Sequence, residues 1–365
     1  MMSHVKDRGA CLPPGVRLRI LTVLTLATAF GGFALGGCGT SGLGGFGPIP
    51  TPLPPALTMM AYAPDGSNIV TEGVVGTPVH RPKVMGVLPQ LKSYGFGRFV
   101  QMAYVGIART EEDAANYYAP LIEASRATGV RVVPGTFAQG FIDDLFGLAT
   151  APPWNVVGSN ALLRHPMNPI AVGEQAYWDE LVLRCRNLAR GAQASEVLLD
   201  QEFIYYLYRF HEFWSDENLA KIKPMARDAV NRLRNEGIFL IFYHPAIIGT
   251  DVSINRIAEG LFGPENADDP LASIEHFCPL PYYNNPPFGT QSPAQAESDY
   301  AVRGFNTDRV RIGFAGPHIA FGFTPTTLDA FLKASPDVID RAWYVAGAVN
   351  YEALSASFGA MPPVR

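Results

Sequence analysis

From residue 57 onward the sequence predicts an α/β fold, a (β/α)8 TIM barrel. Three observations carry the prediction. Eight short runs rich in apolar, β-branched and aromatic residues recur along the chain, and amphipathic helical patterns alternate with them. The stretch available is about 300 residues, the size of such a barrel. No Gly-rich phosphate fingerprint follows the first run, which removes the main cue for a nucleotide-binding doubly wound sheet.

The strand candidates are 57–63, 98–105, 130–136, 196–203, 238–244, 274–283, 309–315 and 341–346, and the helical patterns include 111–128, 176–192, 216–236 and 325–334. Thr110 before Glu111-Glu112-Asp113, and Ser215 before Asp216-Glu217, mark helix starts, because a hydroxyl caps free amides and acids suit the positive end of the helix dipole. Gly129 and Gly237 mark helix ends. Two longer segments, around 138–175 after strand three and 245–273 after strand five, read as insertions on the rim of the barrel mouth.

The chain opens with a different composition. Lys6, Arg8, Arg17 and Arg19 precede an apolar run from Ile20 to Leu35, then small residues and a cysteine, the zones of a secretory signal. Leu35-Gly-Gly-Cys38 resembles the lipobox of bacterial lipoproteins, so residues 1–37 read as a signal peptide and Cys38 as the lipidated residue. A Gly- and then Pro-rich stretch, 38–55, reads as a tether, and 56–365 as a single barrel domain. The expected location is the cell envelope, anchored in a membrane by lipid. Gly39 rather than Asp after the cysteine points to the outer membrane where the organism has one.

A formal charge of −5 without a basic block argues against nucleic acid as a partner. Of the four cysteines, only Cys185 and Cys278 stay in the barrel; a disulfide or two buried thiols both fit.

Chemistry in such a barrel comes from the C-terminal strand ends. Strand four ends Val197-Leu-Leu-Asp200-Gln-Glu202, and strand alternation puts Asp200 and Glu202 on one face. Adjacent carboxylates can keep one proton at neutral pH, as a general acid requires. The plainer alternative is one acid paired to an arginine and one in water. Strand six runs into Tyr282-Tyr283-Asn284-Asn-Pro-Pro287, an aromatic and amide cluster on a rigid turn. Tyr62, Tyr104, Phe137, Tyr243, Trp343 and Tyr344 lie near other strand ends and could form stacking platforms for a ligand, although core packing is the commoner fate of any one aromatic. The aromatic run from Tyr205 and Tyr206 to Trp214 directly follows the acid and reads as a wall of the cleft. His244, His276 and His318 fall on or near strands five to seven, but no H-x-H motif occurs, and neither metal nor cofactor is expected.

The D-x-E of Asp200-Gln-Glu202 and the Tyr283-Asn284 pair, in that order, resemble glycoside hydrolase family 18, the chitinases and chitinase-like proteins, with the strand-six segment closest to hevamine-type enzymes. The pattern departs at Ser195, Glu196 and Leu198, where the family has Asp, Gly and Asp, and at Pro134-Gly-Thr-Phe137, where it has S-x-G-G. The family's Trp on strand eight corresponds to Trp343, set nearer the strand start. The resemblance implies hydrolysis of N-acetylhexosamine-containing glycans by substrate-assisted acid catalysis, an exception to the two-carboxylate scheme. Glu202 is then the acid, Asp200 its partner and Tyr283 the stabiliser. Tyr62, Tyr104, Tyr205, Tyr206, His244, Tyr282, Asn284 and Trp343 are then substrate contacts. Two alternatives stay open: a non-catalytic carbohydrate-binding protein and a barrel hydrolase for another glycan.

Overall fold

Eight parallel strands pair in chain order in a computed structural model of the protein, and the last pairs with the first, so the sheet closes on itself. The structure describes residues 50–53, 56, 58–61, 88–89, 91–93, 95–103, 105–138, 172–200, 215–243, 252–279, 293–315 and 343–345. The signal peptide, Cys38, most of the tether and the helical pattern 325–334 lie outside the described residues.

The strands are β1 Thr58–Ala61, β2 Arg98–Met102, β3 Arg131–Phe137, β4 Glu196–Asp200, β5 Phe239–Tyr243, β6 Glu275–Pro279, β7 Val310–Ala315 and β8 Trp343–Val345. Seven fall within a predicted run, and β3 extends one residue past its run, to Phe137. They read as nearly unbroken apolar segments because each is covered on both faces. Alternation then sorts the side chains into two layers. Met60, Val100, Met102, Val133, Leu198, Ile241, Tyr243 and Phe277 fill the inside of the barrel. Phe99, Val132, Val197, Leu199, Leu240 and Phe242 face outward into a second core shared with the helices.

Five α-helices are described: α1 Glu111–Thr128, α2 Gln175–Gly191, α3 Asp216–Asn235, α4 Val252–Phe262 and α5 Pro293–Val302. The capping signals act as read. The Thr110 hydroxyl accepts from the Asp113 amide at 3.0 Å and that of Ser215 from the Asn218 amide at 3.2 Å. Gly129, at φ 73°, closes α1 with its amide on the Ser125 carbonyl, a left-handed turn that suits glycine. Gly191 has a steric role. A β-carbon there would lie 2.5 Å from Ala114 Cβ and 2.6 Å from the Glu111 carbonyl oxygen, so its absence lets α2 lie directly against α1.

One expectation is corrected. The segment 245–273 is not wholly a rim insertion: it contains α4, whose Phe262 packs edge-on against Phe242 of β5 and Trp178 of α2 in the outer layer. None of the helices among the described residues is long and apolar enough to cross a membrane.

Candidate functional site

The C-terminal mouth of the barrel is where the sequence directs attention, and Asp200 is the last residue of β4. It shares its face of the strand with Leu198, hence the barrel interior, and is buried. Its backbone carbonyl accepts from the Ala138 amide at 3.1 Å, and the register sets it between Phe137 of β3 and Tyr243 of β5. Below it the interior is apolar: Leu198 packs with Val100, Val133, Ile241 and Phe277. Tyr243 closes that floor with its ring 5.1 Å from that of Phe277. It is a core residue, the commoner of the two fates considered for it. Leu198 therefore lies in the position where the family pattern would set a second acid beneath Asp200.

Tyrosines of α1 brace the strand ends beside this floor. The Tyr118 hydroxyl donates to the Gln101 carbonyl at 2.8 Å and accepts from the Gly135 amide at 3.3 Å, while that of Tyr117 donates to the Met102 carbonyl at 3.4 Å. Burial pushes the Tyr118 phenol well up, only partly offset by the Gly135 amide, so it stays a proton donor. Gly135 leaves space on the inner face that the Met102 thioether takes, since a β-carbon there would come within 2.5 Å of that sulfur. The mouth thus stands on strand ends fixed from outside and packed from within, the rigidity that a site on a scaffold needs.

Of the other predicted site residues, Trp343 is the first residue of β8, opposite Thr58 and Gly313 and two positions before the strand's end at Val345. Glu202, Tyr283, Tyr62, Tyr104, Tyr205, Tyr206, His244, Tyr282, Asn284 and Cys38 lie outside the described residues. His276 is on β6 but faces outward, its ring 4.7 Å from Phe305 and 6.0 Å from Tyr300, away from the mouth. No three His, Cys, Asp or Glu among the described residues are arranged to hold a metal ion. Cys185 is a buried free thiol.

The opposite end of the barrel carries a charged cluster that sequence reading missed. Arg98, the first residue of β2, is fully buried; it reaches Glu196 of β4 at 2.7 Å, Glu275 of β6 at 2.5 Å and the Thr58 hydroxyl of β1 at 2.7 Å. Arg311 stands 3.5 Å from Glu275 and Arg309 4.0 Å, and Arg131 lies 3.8 Å from Glu196. Burial alone would raise the Glu275 acid, but the fields of Arg98, Arg311 and Arg309 outweigh it and hold the group below the usual carboxylate range. Glu196, at the family's glycine position, is a member of this cluster. The available signal was a charge at the inward-facing first position of strands two, four and six.

No protein-family model matches the sequence, and no curated protein matches it. Solved structures do. The C-terminal domain of a candidate chitinase from Desulfitobacterium hafniense DCB-2 matches with a TM-score of 0.50 and 8% identity, over 84% of this chain and 98% of that one. The chain bears a distant resemblance to glycoside hydrolase family 18. A family 18 chitinase from Pseudoalteromonas aurantia matches at 0.46 and 14% identity, covering 83% of this chain and 100% of that one. A family 2 AP endonuclease from Brucella melitensis matches at 0.42 and 9%, over 84% and 98%. Likeness at such identities is one of fold, and function must be argued from the site.

Proposed function

We propose that the chain is a lipid-anchored glycoside hydrolase on a complete (β/α)8 barrel, acting on N-acetylhexosamine-containing glycans. The observation that carries the reading is the position of Asp200: a buried carboxylate that ends β4 on the interior side, at the end of the barrel where such enzymes hold their reacting groups. Glu202 follows two residues later and takes the acid role, protonating the glycosidic oxygen as the bond to the anomeric carbon breaks. Asp200 orients the acetamido N–H so that the substrate's own carbonyl oxygen attacks that carbon from the other face. Tyr283 donates a hydrogen bond to the same oxygen and holds it in place. Water then opens the cyclic intermediate, with Glu202 returning as base. Trp343 and the tyrosines of the mouth serve as sugar contacts, and Cys38 tethers the domain in the cell envelope.

The test is product release from N-acetylglucosamine oligomers by the full-length chain in detergent, beside its Glu202→Gln variant. Cleavage that falls by about a hundredfold or more in the variant is expected. Equal cleavage by both would remove Glu202 from the chemistry.

Leu198 favours a second reading. With an apolar residue packed beneath Asp200, the carboxylate lacks the acidic neighbour of the family pattern, as a carbohydrate-binding protein without turnover would. That reading expects no product from the wild type and glycan binding that survives Glu202→Gln. Turnover of glycans that lack an acetamido group would indicate a different hydrolase, because substrate assistance needs that group.

A further inference from the structure

A cavity of about 470 Å³ opens at the base of the barrel, away from Asp200. Its walls come from Pro52 and Leu53, the run leading into β1; from Arg234 near the end of α3; from Asp269 and Ser273 around the turn Pro270–Ser273; and from Arg309, just before β7. The proposed catalytic chemistry uses none of them.

The two arginines are the cations of this lining, and among the described residues neither is fully matched by a close acid on it. Arg309 is nine-tenths buried and gives one amino group to the Ser273 carbonyl at 3.2 Å, while its Nε has no partner among the described residues. Its ion pair to Glu275, at 4.0 Å, is long, and that carboxylate is already taken by Arg98. Burial, and then repulsion from Arg98, disfavour the Arg309 cation more than Glu275 and Glu196 support it. The Arg234 Nε is likewise buried without a partner among the described residues. The acids on the lining do not fill this need. Asp269 is occupied by Arg227 at 3.2 and 3.1 Å and by the amides of Glu265 and Leu271, and Asp308 is exposed to solvent.

We propose that this cavity binds a phosphate group, with Arg309 and Arg234 as its guanidinium donors. Phosphate oxygens accept several N–H groups at once, and arginine is suited to that geometry. A bound anion would also supply Arg309 with the counter-charge that Glu275 gives only at a distance. Free phosphate and the phosphodiester of a lipid headgroup present the same chemistry, so the two sources need separate probes.

Calorimetric titration of the full-length chain in detergent, at ionic strength fixed with sodium chloride, tests the assignment. The probes are inorganic phosphate and glycerophosphoglycerol, a headgroup phosphodiester without acyl chains. Two substitutions at less buried positions of the lining spare the fold: Arg234→Gln removes one donor, and Ala267→Glu sets a carboxylate on the exposed rim. Saturable binding of either probe, weakened about fivefold or more by both variants, is expected. Phosphate alone would indicate a free anion, and the phosphodiester alone a headgroup. Absence of binding by both probes, or binding that neither variant weakens, overturns the proposal. Glycan turnover plays no part in the readout, so this site and the catalytic reading fail independently.

Discussion

The two ends of the barrel bury polar groups in opposite ways. At the base, Arg98 is held between two carboxylates and a hydroxyl, each within 2.7 Å, so this one cation is matched by its neighbours. At the mouth, Asp200 stands above an apolar floor of Leu198, Val100, Val133 and Phe277. The difference separates two uses of buried charge. Groups that satisfy each other knit strands together and have little left to offer a ligand. The Asp200 carboxylate has hydrocarbon below it and ends its strand on the side of the barrel where such folds place their reacting groups. The same division holds in barrels generally, where the N-terminal face serves stability and the C-terminal face chemistry.

Substitutions at the base should therefore cost stability. Arg98→Met leaves Glu196 and Glu275 buried and facing each other without their shared cation, and is expected to destabilise by about 3–5 kcal/mol in denaturant titration. A loss below about 1 kcal/mol would mean that the cluster is not the brace described. Glu275→Gln keeps an acceptor and should cost less, about 2 kcal/mol at neutral pH. It should also change the acid limb of stability. The folded acid is held below its unfolded value, so its contribution is complete above about pH 4.3 and is lost as pH falls through the folded pKa. Wild-type melting temperature should drop over that range, and the variant's should drop less; parallel curves would contradict the depressed acid. Gly191→Ala, between the two ends, tests the helix layer alone. The clash with Ala114 and Glu111 should cost about 1–3 kcal/mol with activity retained.

Much of the fold is legible in the sequence because barrel strands are apolar on both faces and end at capped helices. Val197-Leu-Leu and Phe239-Leu-Ile-Phe are unmistakable on those grounds. Helix α4 is harder to see: Gly260 sits inside it and reads as a break. Its reason is tertiary, since a β-carbon there would lie 2.8 Å from Leu219 of α3. The basal cluster is hidden for a related reason. Arg98, Glu196 and Glu275 each look like an ordinary charge at a strand start and are far apart in the chain; only the barrel's closure brings them together. At the mouth, alternation sets Asp200 on the same face as Leu198, and the closed sheet makes that face the inner one. No local pattern, however, shows that Leu198 joins an apolar floor with Val100 and Phe277 from other strands.

The contrast between the ends is tested most directly at Asp200. Asp200→Asn preserves shape and removes the charge, and its melting temperature and its rate on N-acetylglucosamine oligomers can be measured on the same preparation. The account predicts stability within about 1 kcal/mol of wild type and turnover reduced by about a hundredfold or more. A variant that unfolds as Arg98→Met does, or that cleaves as wild type does, would contradict the assignment of chemistry to the mouth.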